Sequence, residues 1–245
     1  MRLKGKTAVI TGGTRGLGRV IAETYVTEGC RVLLGGRDIA AIADLVEKYP
    51  DQVASQHLDV RDPDSVDRLM LAAVDRFGGL DIVVANAGMS APGRVAALSV
   101  EDWTATFETN VTGTFLTVRA ALKHLPAHSG GSVITMSSAM ATRVAPGASA
   151  YCASKAAIEM LTKVAAVESA AQGITINCLA PGIIDEGMGR ALASNEVVWA
   201  KYSQKLASGR PGTAEEVAAA AVFLAGDHSR YINGHVMEVN GGLDW

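Results

Sequence analysis

Short apolar runs alternate with amphipathic stretches along the whole chain. The runs at 7–11, 31–35, 53–59, 80–85, 132–136, 174–179 and 235–239 read as strands. Several are apolar at consecutive positions, as in Ile82-Val83-Val84-Ala85, which predicts strands covered on both faces. The stretches between them carry helix-start signals. Asp62-Pro63 sets a capping carboxylate before a proline at the first helical position, and Ser99-Val100-Glu101-Asp102 and Thr213-Ala214-Glu215-Glu216 resemble capping boxes. Asp38 reads as the cap of the helix after the second strand, and long helices are expected over 101–125 and 153–171. Strand–helix repetition with short connections implies right-handed crossovers and the α/β class: one domain, a doubly wound sheet of about seven parallel strands with helices on both faces. The segment 183–212 breaks the rhythm. It carries Gly187, Gly189, Gly209 and Gly212 around a polar, partly helical middle with Trp199 and Tyr202, and is the expected substrate lid.

Composition narrows the partners. The chain has 245 residues, 49% hydrophobic and 19% charged, enough apolar material for a large core and too much for a disordered chain. Lys and Arg number 22 against 25 Asp and Glu, a net charge of −3 with no basic block, a poor match to nucleic acid or an anionic membrane. The longest apolar run, 217–225, is too short to span a bilayer, and no signal-peptide core follows Met1-Arg2-Leu3-Lys4-Gly5-Lys6. The expectation is a soluble, cytoplasmic protein with no nucleic-acid or membrane partner. Cys30, Cys152 and Cys178 are odd in number and widely spaced, so they read as small buried residues. Pro126 interrupts the turn that would pair His124 with His128, and no metal is predicted.

The first strand runs into Thr11-Gly12-Gly13-Thr14-Arg15-Gly16-Leu17-Gly18, and a helix follows. A turn of this kind presents free N–H groups and the positive end of a helix dipole, and its glycines let a pyrophosphate approach the backbone. The second strand ends in Leu34-Gly35-Gly36-Arg37-Asp38. Gly36 stands where an NAD site carries an acid for the ribose, and Arg37 follows at once. With Arg15 reaching from the other side, two guanidiniums suit the extra phosphate of NADP(H). NAD dependence would instead require Asp38 to govern the ribose.

Two further stretches carry chemistry. Tyr151 and Lys155 are four apart in a helix-forming segment, which sets phenol and ammonium on one face; an ordinary exposed Tyr/Lys pair is the alternative. Val133-Ile134-Thr135-Met136-Ser137-Ser138 is a buried strand ending in two hydroxyls.

Thr11-Gly12-x-x-x-Gly16-x-Gly18, Asn86-Ala87-Gly88, Asn110, Ser138, Tyr151-x-x-x-Lys155 and Pro181-Gly182 occur in this order. With them the chain resembles the short-chain dehydrogenase/reductase family over nearly its whole length, and within it bacterial 3-oxoacyl-(acyl-carrier-protein) reductases. The resemblance implies a Rossmann-type fold and reduction of a ketone with NADP(H). It makes Tyr151 the general acid and gives Lys155 two tasks, lowering the phenol's pKa and holding the nicotinamide ribose. Ser138 would bond the carbonyl oxygen and Asn110 a water that resupplies protons. Gly12, Thr14, Arg15, Gly16, Leu17 and Gly18 would meet the phosphates, Arg37 the ribose phosphate, and Asp59 and Val60 the adenine. Asn86, Ala87 and Gly88 would line the ribose, and Pro181, Gly182 and Ile184 the nicotinamide, with hydride leaving its pro-S face.

Two positions depart from the pattern. Glu186, preceded by Asp185, stands where the family has a threonine for the carboxamide. Gln172 stands where carrier-protein reductases often have an arginine for the acidic carrier, which counts against an acyl-carrier protein as partner. Rival readings are a specialised ketoreductase, a secondary-alcohol or sugar dehydrogenase, a nucleotide-sensing protein without catalysis, and a methyltransferase. Met89, Met140, Val144 and the lid would shape a largely apolar pocket for a small carbonyl or alcohol substrate, with Trp199 and Tyr202 serving packing. The resemblance also implies a homotetramer built on helices 101–125 and 153–171 and the last strand, and both helices carry small or apolar residues on much of their circumference.

Overall fold

The computed structural model describes residues 1–127, 130–194 and 196–244. Seven strands, β1 (Thr7–Thr11), β2 (Arg31–Gly36), β3 (Val53–His57), β4 (Ile82–Ala85), β5 (Ser132–Met136), β6 (Thr175–Pro181) and β7 (Val236–Val239), form one sheet in the order β3-β2-β1-β4-β5-β6-β7. Every pairing is parallel. The helices are α1 (Gly16–Thr27), α2 (Ala43–Lys48), α3 (Pro63–Phe77), α4 (Val100–Phe107), α5 (Gly113–His124), α6 (Ser149–Ser169), α7 (Gly187–Ala193), α8 (Glu196–Ser203) and α9 (Ala214–Ala225).

Alternation along the strands divides the core in two. Ala8, Ile10, Val32, Leu34, Ile82, Val84 and Ile134 pack with α1, α2 and α9, whereas Val9, Leu33, Val83, Val133 and Ile176 pack with α3, α5 and α6. Burying each Val, Leu or Ile side chain contributes roughly 1.5–3 kcal/mol, so helices are held on both faces. Strand order reverses between β1 and β4, the switch point where doubly wound sheets open a crevice.

Three of the four expected caps start helices. Asp62 accepts from Asp64 N at 2.9 Å, Ser99 from Asp102 N at 3.0 Å, and Thr213 and Glu216 cap each other at 3.3 and 2.8 Å. Asp38 is a correction: a 3₁₀ turn at Ala40–Ile42 intervenes, and it and α2 start from Ile39 and Ile42 without side-chain caps. The third strand also ends early, at His57, because its partner β2 stops at Gly36, so Asp59 and Val60 lie in the following loop. The expected helix 101–125 is interrupted, with a π turn at Glu108–Thr112 joining α4 to α5. The helix expected over 153–171 begins earlier, at Ser149.

Within 183–212, Ile184 bridges to Gly212, and Trp199 and Tyr202 pack against Ala139, Ile183, Leu206 and Leu243. Phe115, Met160, Val164 and Val167 stay exposed on α5 and α6. Cys30 and Cys178 are buried and Cys152 is half-buried. His124 bonds Asp67, and His128 lies outside the described residues. Among the described residues no helix is long and apolar enough to cross a membrane, and no three His, Cys, Asp or Glu side chains are grouped to hold a metal.

Candidate active site

The turn after β1 is held by its neighbour across the switch point. Thr11 Oγ1 accepts from Asn86 N (3.1 Å) and Ala87 N (3.2 Å), while Asn86 Nδ2 donates to the carbonyls of Thr11 and Gly12, both at 3.1 Å. This packing leaves no room for side chains. A Cβ on Gly18 would stand 2.4 Å from Gly12 O and 2.5 Å from Asn86 Nδ2, and one on Gly12 would stand 2.8 Å from Ala87 Cα. Gly16, by contrast, has φ +57° and faces open space, with only Gly187 Cα within 4.0 Å. Helix α1 starts there with no side-chain cap and no acidic residue in its first turn. An uncapped, positively polarised helix end behind a glycine cradle fits a dinucleotide's phosphates.

At the end of β2, a Cβ on Gly36 would stand 2.6 Å from Thr14 Cγ2, so Thr14 fills the space an acidic side chain would need. Arg15 and Arg37 are exposed, and neither forms an ion pair among the described residues. Asp59 is bound by Arg61 through both oxygens, at 3.0 and 2.6 Å, which holds its carboxyl at a pKa of about 2. Val60 packs against the start of α5, where a Cβ on Gly113 would meet Val60 Cγ2 at 2.7 Å.

The hydroxyl, phenol and ammonium meet between β5 and α6. Ser138 begins the turn after β5, where its Oγ accepts from Met140 N at 3.2 Å, and its hydroxyl lies close enough to the Tyr151 phenol to favour the ionised form. Lys155 is buried one helical turn beyond Tyr151; its Nζ donates to Met136 O at 2.8 Å and lies 5.5 Å from the phenol ring. Burial pulls the ammonium's pKa down to about 8. Burial also pushes the phenol up, with the Ser138 hydroxyl acting the other way. Lys155 is therefore not the dominant influence on Tyr151 within the chain, since the ammonium is itself desolvated and bonded to a carbonyl.

Asn110 sits in the π turn, fully buried. Its Oδ1 accepts from Met89 N at 2.8 Å, and its Nδ2 donates to Met89 O and Ser154 Oγ, both at 2.9 Å. Asn110 Oδ1 and Lys155 Nζ flank Gly88, at 3.4 and 3.5 Å from where its Cβ would stand. π turns recur at functional positions because they reorient one side chain without ending the helix.

On the far side, Gly182 approaches Asn240 so closely that a Cβ would stand 2.8 Å from its Cα, which holds Pro181-Gly182 beside β7. Ile184 is buried. Glu186 does not stand alone: Arg190 pairs with it at 2.5 Å and with Asp185 at 3.3 Å, so the two acids share one guanidinium.

Some roles went unpredicted. Met136 holds Lys155 through its carbonyl, and Met89, expected only as a pocket side chain, holds Asn110 through its backbone atoms. Ser137, flagged only as one of two hydroxyls, turns away from Ser138 toward α6, with Glu159 Oε1 at 2.9 Å and Lys155 O at 3.1 Å.

A family model described as enoyl-(acyl carrier protein) reductase matches residues 12–244. The chain is 34% identical over 243 residues to the 3-oxoacyl-(acyl-carrier-protein) reductase of Vibrio cholerae, covering 99% of each. It is 37% identical over 242 residues to an uncharacterised oxidoreductase of Mycobacterium bovis, covering 98% of this chain and 97% of that one. A crystal structure of a short-chain type dehydrogenase/reductase from Mycobacterium marinum matches with a TM-score of 0.91 at 32% identity, covering 98% and 96% of the two chains. With a seven-stranded parallel sheet, a glycine turn at its switch point and Tyr151 and Lys155 at the start of α6, the chain belongs to the short-chain dehydrogenase/reductase family of oxidoreductases.

Proposed function

We propose that this chain reduces a ketone to a secondary alcohol with NADPH, with 3-oxoacyl thioesters as the substrate class. The observation that carries the reading is Ser138 set beside the Tyr151 phenol, one helical turn from the buried Lys155, whose Nζ is fixed on Met136 O. A bound nicotinamide supplies the hydride. Tyr151 gives its phenolic proton to the carbonyl oxygen as the carbon is reduced, and Ser138 donates to the same oxygen, stabilising its developing charge. The Ser138 oxygen already accepts from Met140 N, which leaves its proton for donation. Lys155 stabilises the phenolate left behind, and Asn110 holds the water that returns a proton.

Gly12, Thr14, Arg15, Gly16, Leu17 and Gly18 would hold the phosphates. Asp59 and Val60 would hold the adenine, Asn86, Ala87 and Gly88 the ribose, and Pro181, Gly182 and Ile184 the nicotinamide, with Tyr151 and Lys155 beside them. NADPH is favoured over NADH because Thr14 fills the acid's place at Gly36 while Arg15 and Arg37 keep their charges free of ion pairs among the described residues. The matching family model is described as an enoyl reductase, but the Ser138 hydroxyl and Tyr151 phenol side by side offer two donors to a single carbonyl oxygen, in line with the 3-oxoacyl relatives. Gln172 is exposed and uncharged, so the reading favours a thioester not borne on an acidic carrier. It includes a homotetramer that covers Phe115, Met160, Val164 and Val167, exposed on α5 and α6.

The test is consumption of NADPH by the purified protein with a 3-oxoacyl thioester, beside Tyr151→Phe and with NADH in place of NADPH. The variant should lose about 10³-fold in kcat while still binding NADPH, since only the proton donor is gone. Lys155 carries its charge below pH about 8, so kcat/KM for reduction should fall as pH rises through that value. Intact NADPH binding without consumption would reject the substrate class.

A further inference from the structure

A set of polar contacts behind the candidate site has no part in that chemistry. The loop after Ser138 carries Arg143, whose guanidinium makes a forked ion pair with Glu238 of β7, Nη1 to Oε1 at 3.1 Å and Nη2 to Oε2 at 2.9 Å. Arg143 is 19% exposed and Glu238 40%, so the pair lies at the surface with its fork partly shielded. Glu238 also accepts from Asn240 Nδ2, and Asn240 Oδ1 accepts from Gly242 N (3.0 Å) and Leu243 N (3.4 Å). Held in this way, the C-terminal stretch turns through Gly241 and Gly242, at φ +65° and +70°, a conformation glycine adopts without strain.

The same stretch then pairs with the end of the segment 183–212. Ala207 N donates to Gly242 O at 3.2 Å, Ser208 N to Gly241 O at 3.0 Å, and Asp244 N to Lys205 O at 2.9 Å. Leu206 and Leu243 pack with Ile183 and with Ala139, the residue after Ser138. The contacts close a ring: Ser138 loop to β7, β7 to the C-terminal stretch, that stretch to the lid, and the lid back to Ala139.

We infer that Arg143 and Glu238 are positioning residues for the substrate, the clasp that fixes the Ser138 loop against the lid through the C-terminal stretch. The inference rests on the functional reading above, in which these two segments wall the ketone. A surface ion pair contributes little to global stability, but a planar two-point fork fixes orientation, and surface loops open locally at low cost. The clasp therefore acts on substrate affinity more than on folding. The alternative is that Arg143 leaves Glu238 to bind an anionic group of the substrate.

Glu238→Gln separates the two, because it frees Arg143 while keeping an acceptor for Asn240. If the pair is a clasp, Arg143→Ala, Glu238→Gln and the double variant should each raise KM for the ketone about five- to tenfold, the double no more than either single, with kcat and KM for NADPH within about twofold of wild type. Hydrogen exchange at the amides of Ala207, Ser208 and Asp244 should quicken about tenfold in each variant. A KM that falls or stays unchanged in Glu238→Gln, additive effects, or unaltered exchange would overturn the inference. Exchange needs no turnover: if the wild-type chain reduces no ketone, the functional reading fails and the exchange result alone decides the clasp.

Discussion

Around β1 and β2 the chain meets itself at distances that exclude any Cβ: Gly18 on Gly12 O, Gly12 on Ala87, Gly36 on Thr14. Around β6 and β7, polar side chains make many of the connections, with Arg190 on Asp185 and Glu186 and Arg143 on Glu238. Gly182 on Asn240 and Gly189 on Ile184 O carry the first style into the second region. In the proposed function the contrast follows from two tasks. A phosphate end must expose bare backbone, and bare backbone is set by a few glycines that admit no substitute. A substrate wall must fit one molecule among many, and exposed ion pairs can be exchanged at small cost to folding.

Gly18→Ala should have the largest effect. Its methyl group would overlap Gly12 O and Asn86 Nδ2, costing about 3 kcal/mol in denaturant unfolding and abolishing NADPH binding in a fluorescence titration. A fully stable, NADPH-binding Gly18→Ala would break the comparison at its firmest point. Arg37→Ala comes next: an exposed side chain within the glycine-built half, it should weaken NADPH binding about tenfold or more through loss of charge-assisted hydrogen bonds and leave NADH unchanged. Equal losses for both cofactors would show that Arg37 does not read the extra phosphate. Glu186→Thr should do least. Its carboxylate is already paired with Arg190, so restoring the family's usual residue should change kcat/KM by no more than about threefold.

The same contrast explains what could be read from the sequence. The glycine turn, the alternation of the strands, the caps at Asp62, Ser99 and Thr213 and the Tyr151–Lys155 spacing are short-range patterns, and each corresponds to an element or contact in the fold. Asp38 misled because a capping residue only predicts a helix that starts next to it, and a 3₁₀ turn intervened. The carbonyl of Met136 under Lys155 was invisible, since any residue supplies one. The Arg143–Glu238 pair joins positions 95 apart, and no local pattern links them. Glu186 was visible as a departure, but its partner Arg190 became meaningful only once α7, which starts just after Glu186, turned Arg190 back toward it.

The π turn at Glu108–Thr112 makes chain length itself part of the site. Removing one residue there would let the helix run straight and rotate everything beyond it by about 100° relative to everything before. Asn110 and the α5 residues that face the sheet could then no longer both keep their places, even though no remaining side chain had changed. For this stretch the gap in an alignment deserves the same weight as a substitution: a relative could keep every named residue and still, by being one residue shorter, lose the arrangement.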